Sequence, residues 1–140
     1  MKIYILFIIT SLSLHLSAQT EEYSGTYVFS RESEKNEVLE YKLDLNGDGT
    51  FQFTSYRKDI GKNEYHNYSK GKWTVKNKVI DFVSVDIDLD EKFTLDFTGT
   101  TARIIKKSPR DMSDKVVPTA LQFYKSNIFW IANLKLLLKE

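Results

Sequence analysis

Three groups of residues have the types and spacing that chemistry can use. Asp44, Asn46 and Asp48, followed by Gly49, match the first half of a calcium loop, where oxygens at alternate positions grip the ion and a glycine makes the sharp turn. Ser55 stands where such a loop needs its closing bidentate Glu, and the residues after Gly49 read as strand. The spacing therefore favours a hairpin turn, in which Asn-Gly and Asp-Gly supply positive φ. Asp86, Asp88 and Asp90, with Glu91, form an acidic row. On a strand it would be a metal ladder or a glycosidase carboxylate pair, or more simply a solvated outer face that discourages edge pairing. His66 is the one His outside the first 18 residues and lies in a polar stretch beside Tyr65 and Tyr68. A lone His builds neither a zinc site nor a Ser/His/Asp triad, and no phosphate loop, dinucleotide fingerprint or metalloprotease helix is present. The expectation is a protein that is not an enzyme and uses no metal and no cofactor.

Composition narrows the class further. The 140 residues hold no cysteine, which excludes disulfides, thiolate metal sites and thiol nucleophiles. Lys and Arg number 20 against 19 Asp and Glu, so no excess of positive charge argues for a nucleic-acid partner. Aromatic content of 14% with only 2 Pro and 6 Gly fits a folded, aromatic-rich β protein of one domain.

The first 18 residues, MKIYILFIITSLSLHLSA, read as a secretory signal peptide. Lys2 is the n-region, Ile3–Ile9 the apolar run, and Ser17-Ala18 the small-residue cleavage site. The apolar stretch is short and interrupted for a transmembrane helix. The mature domain is then Gln19–Glu140, soluble after cleavage and exported to the periplasm or the extracellular space.

The elements that must position any site are strands. Leu39, Tyr41, Leu43 and Leu45 alternate with Glu40, Lys42 and Asp44, and the same period recurs at Phe51/Phe53, Val83–Leu89 and Phe93/Leu95/Phe97. Period two puts each set on one strand face. Turn residues divide the chain into strands near 24–30, 37–45, 50–57, 68–75, 78–89, 92–98, 101–107, 119–125 and 128–138. The apolar parity slips between Ile80/Phe82 and Val83/Val85, which predicts a β-bulge near Phe82-Val83. The last segment fits a strand better than the helical stripe of Trp130, Leu134, Leu137 and Leu138. The fold class is all-β: an eight- or nine-stranded antiparallel up-and-down barrel, closed because closure removes exposed edges.

Several short motifs carry a resemblance. Tyr23-Ser24-Gly25-Thr26-Tyr27 opens the first strand where lipocalins have a G-x-W motif, Tyr27 standing in the place of the Trp. Tyr41-x-Leu43-x-Leu45, Asn46-Gly47-Asp48-Gly49-Thr50-Phe51 and Gly71-Lys72-Trp73 are similar to a run found in small secreted bacterial lipocalin-like (calycin-type) domains. The resemblance spans roughly Tyr23 to Val83. It implies an eight-stranded barrel with a small apolar ligand at its open end.

In a nine-strand meander the long connections 31–36, 58–67 and 108–118 fall at one end, and tight turns close the other. That end is the expected mouth, with Arg57, Tyr65, His66, Tyr41, Phe53, Arg110 and Met112 as candidate ligand-binding residues. Arg57 shares parity with Phe51, Phe53 and Ser55, so it either points inward at the rim or turns to solvent with the strand's twist. At this strand number a barrel interior is filled by side chains or holds one small ligand. Two functions follow: a carrier of a small hydrophobic ligand, or a filled barrel acting as a protein- or surface-interaction module. The leader gives the first testable outcome: intact-mass measurement of the exported protein should show a chain starting at or within a few residues of Gln19, and a mature form retaining Met1–Ala18 would contradict it.

Overall fold

Each apolar alternation in the sequence becomes one wall of a common interior. The computed structural model describes residues 20–140, so the leader lies outside the described residues. The strands are β1 Gly25–Glu32, β2 Val38–Leu45, β3 Thr50–Lys58, β4 Glu64–Lys76, β5 Val79–Val83, β6 Thr100–Ile105, β7 Ala120–Lys125 and β8 Lys135–Leu138. Each pairs antiparallel with the next, and β8 returns to β1 through Tyr27↔Leu138 and Val28↔Leu137, closing an up-and-down barrel. The expected class is therefore observed, with eight strands.

The barrel is filled. Tyr27, Leu43, Leu45, Phe51, Phe53, Trp73, Ile80, Phe82, Leu121, Phe123 and Leu136 are buried from the walls, joined by Phe97 and Ile131 from two loops. A fully buried Phe contributes about 1.5–3 kcal/mol through removal from water. The four ion pairs among the described residues all sit in solvent, where such pairs add little. Apolar burial therefore decides the fold.

Connections alternate between the barrel ends. The base carries the turns 46–49 and 77–78 and the loop 106–119; the mouth carries 33–37, 59–63, 84–99 and 126–134. The 46–49 turn is the hairpin expected from its sequence. Asp48 accepts from the Thr50 amide and hydroxyl, Asn46 Nδ2 donates to Thr50 Oγ1, and Gly49 takes φ 86°. Asn77 and Lys78 both take positive φ, the signature of a two-residue type I′ hairpin. Trp73 locks the base: its indole N–H is shared between the carbonyls of Asn46 (3.1 Å) and Thr50 (3.0 Å).

Five sequence expectations are corrected. Residues 92–98 are extended but not a strand of the sheet. Their burial alternates, with Leu95 and Phe97 turned to the core and Phe93 half-buried against Tyr68 on the outer face, yet only the Leu95 amide bonds to β4, at the Tyr68 carbonyl. The strand expected over 78–89 ends at Val83. No bulge lies near Phe82-Val83, because Ile80, Phe82 and Ser84 keep one parity inward while Val83, Val85 and Ile87 face solvent. The acidic row is not a strand ladder either: Asp86–Asp88 is a 3-10 turn, Asp88 Oδ2 accepts from the Val85 amide, and Asp90 Oδ1 accepts from the amides of Lys92 and Phe93. In the last segment only Lys135–Leu138 is strand, and 128–133 is a series of turns.

Gly71 shows how closely the end of β5 approaches β4. A Cβ there would lie 2.1 Å from the Val83 carbonyl oxygen and 3.0 Å from the Phe51 ring, so no other residue fits without backbone movement. Two strand positions on, Trp73 is buried at the base. Trp73→Ala should lower stability by about 3–5 kcal/mol in chemical denaturation; a midpoint close to wild type would refute its structural role.

Candidate functional site

A cleft of about 320 Å³ opens at the mouth, lined by Leu39, Tyr41, Ser55, Arg57, Tyr65, Asn67, Phe129 and Trp130. Strand pairing builds one wall from a row at one level: Leu39↔Arg57 between β2 and β3, and Arg57↔Tyr65 between β3 and β4. One pleat deeper, Tyr41↔Ser55 and Ser55↔Asn67 continue it. The 126–134 loop supplies the opposing side. There Trp130 stacks on Tyr41 at 5.7 Å between centroids and leans on Phe53 at 6.2 Å. These rings separate the cleft from the filled interior below. Phe129, 88% exposed, overhangs the opening.

The uncharged polar groups in the cleft lack side-chain partners among the described residues. Ser55 is only 4% exposed, yet neither its hydroxyl nor the Asn67 amide nor the Tyr41 hydroxyl bonds to any described residue. No fully buried side-chain polar atom among the described residues is left unpaired, so the Ser55 hydroxyl opens into the cleft. Burial raises the Tyr41 hydroxyl pKa, and the charges of Arg57 and Arg31 pull it back down. Among the described residues, Arg57 is the only charged side chain lining the cleft. Its guanidinium lies over the Tyr65 ring at 4.8 Å and pairs with Asp59, Nε to Oδ1 at 3.1 Å.

This arrangement gathers part of the expected site and disperses the rest. Tyr41, Arg57 and Tyr65 line the cleft, and Phe53 lies directly beneath as its floor. His66 does not join them. It pairs with Tyr56 across β3 and β4 on the opposite parity, so its ring lies outside the barrel, 4.9 Å from that of Tyr56 and stacked with Tyr68. Arg110 and Met112 lie in the 106–119 loop at the base, Met112 being 91% exposed. The expectation that 58–67 and 108–118 share one end fails because 92–98 is not a strand, and losing one strand switches the end of every later connection.

Sequence reading left out Leu39, Ser55, Asn67, Phe129 and Trp130. Ser55 and Asn67 carry a usable signal: each marks where the inward parity of its strand turns from apolar to polar, Ser55 following Phe51 and Phe53, and Asn67 lying with Ser69 beyond Gly71, Trp73 and Val75. Phe129 and Trp130 sit in turns without period, so nothing in the pattern aims them at the mouth. Comparison with protein-family models, curated proteins and solved structures finds no match for the chain.

Proposed function

We propose that the protein is an exported, lipocalin-like binder of one small amphipathic ligand, held in the mouth cleft rather than inside the barrel. The observation that carries this reading is the Ser55 hydroxyl: nearly buried, unpaired within the protein, and set among aromatic walls. The hydroxyl opens into the cleft with no partner among the described residues, so water or a guest must satisfy it, and a guest that does so gains a hydrogen bond of about 0.5–1.5 kcal/mol. The cleft volume sits at the lower edge of ligand sites, which suits one compact, flat ring system carrying a short chain. Leu39, Tyr41 and Trp130 would hold the apolar body, and Ser55 and Asn67 the hydrogen-bonding end. Binding without catalysis is the favoured class, because Ser55 has no base beside it and the His66 ring lies on the outer face.

A second reading, an interaction module, draws on the filled core and on an outer aromatic strip. Tyr56, His66, Tyr68 and Phe93 run ring to ring along that face, with Lys92 over Tyr68 and Phe93. One titration separates the two. Neutral pyrenebutanol should bind saturably and quench Trp130, and Tyr41→Ala should weaken it by about tenfold or more, the loss of one aromatic wall. Absence of saturable binding would remove the cleft reading and leave the module.

A further inference from the structure

The cleft's one cation is already engaged, by an anion that lies outside the cleft. Arg57 meets Asp59 with two prongs, Nε to Oδ1 at 3.1 Å and Nη2 to Oδ2 at 3.4 Å. Asp59 belongs to the 59–63 loop, set by its amide on the Asn63 carbonyl and by the Lys62 amide on its own carbonyl. It faces the neighbouring groove, which it lines with Arg31, and does not line the cleft itself. Arg31 stands across Leu39 from Arg57 at the same level and has no ion pair among the described residues. The charges that line this groove balance, Arg31, Arg57 and Lys58 against Glu32, Glu37 and Asp59, and of them Arg57 alone also lines the cleft.

Resting on the cleft reading above, we propose that Asp59 is an internal stand-in for a ligand carboxylate, so that the cleft selects amphiphiles ending in a carboxylate and Asp59 sets how tightly they are held. Both halves of the Arg57–Asp59 pair are solvent-exposed, and water screens such pairs, so exchanging one carboxylate for another is easy. The guanidinium fork that fits Asp59 fits any carboxylate in the same way. Tyr65 beneath the guanidinium keeps its plane in place while the partner changes. Ser55 and Asn67, one pleat deeper, lie within the same wall to bond to a ligand oxygen. No group is transferred; one ion pair opens as another forms.

The test uses two probes that differ only at one end, pyrenebutyrate and pyrenebutanol. The wild type should hold the carboxylate about tenfold more tightly than the alcohol, the gain from a charge-assisted fork. Asp59→Asn should tighten pyrenebutyrate by about two- to fivefold, the range of an exposed ion pair, and leave pyrenebutanol unchanged. Arg57→Gln should erase the preference, so that the two probes bind with similar affinity, and an unchanged circular-dichroism spectrum and melting point show that the variant is folded. Equal affinities for the two probes in the wild type, or no gain in Asp59→Asn, would overturn the inference and leave the cleft reading standing. Binding of neither probe would overturn both.

Discussion

The seating of Phe97 inside the barrel is the contact on which the rest of the structure depends. This residue comes from a connection, not from a strand, and it is fully buried. Its ring lies 5.0–6.2 Å from those of Phe53, Phe51, Phe82 and Phe123, so three of the eight strands, β3, β5 and β7, meet on one side chain. Such a placement works only if the chain on either side has its polar groups satisfied. Ser84 and Thr98 provide that. Ser84 Oγ donates to the Lys70 carbonyl and accepts from the Phe97 amide. Thr98 Oγ1 accepts from the Ser84 amide and donates to the Ser84 carbonyl. The two ends of the long loop are thereby tied to each other and to β4, where β5 has already stopped.

The position of the site follows. With aromatic rings filling the barrel, free space remains only where the walls outrun the plug. β2, β3 and β4 extend beyond the level of Phe53, and their inward positions there change from Phe and Leu to Ser55, Arg57, Tyr65 and Asn67. The mouth loops cover this rim in part: the Thr100 and Ser126 hydroxyls bond at 2.8 Å, and the Asn127 amide reaches the Thr98 carbonyl, which fixes the loop that carries Phe129 and Trp130. Plug, rim and cleft are thus one packing arrangement, and the proposed carboxylate preference rests on its outermost layer.

The legible part of this protein is the part governed by period two. β1 to β4, the Asn46–Gly49 hairpin and the inward set from Tyr27 to Trp73 follow from alternation and turn chemistry, because a half-buried strand must alternate. The 92–98 segment shows the limit of that rule. Phe93, Leu95 and Phe97 alternate because extended chain against a wall buries every second side chain, whether or not it forms a ladder. Whether it does depends on the length of β5, and the parity of Ile80, Phe82 and Ser84 reads the same on either side of its end. One miscounted strand then sent Arg110 and Met112 to the wrong end. His66 was misplaced for a smaller reason: its neighbour Tyr65 holds the inward parity, and two adjacent residues of a strand cannot share a face.

The most direct test of this arrangement is amide hydrogen exchange at Phe97. If Phe97 plugs the barrel and its amide is bonded to the Ser84 hydroxyl, that amide should exchange only with opening of the whole barrel, as slowly as the amide of Phe53 in the middle of β3. Exchange at the rate of an exposed loop, while Phe53 stays protected, would show that the 84–99 connection does not hold the core together.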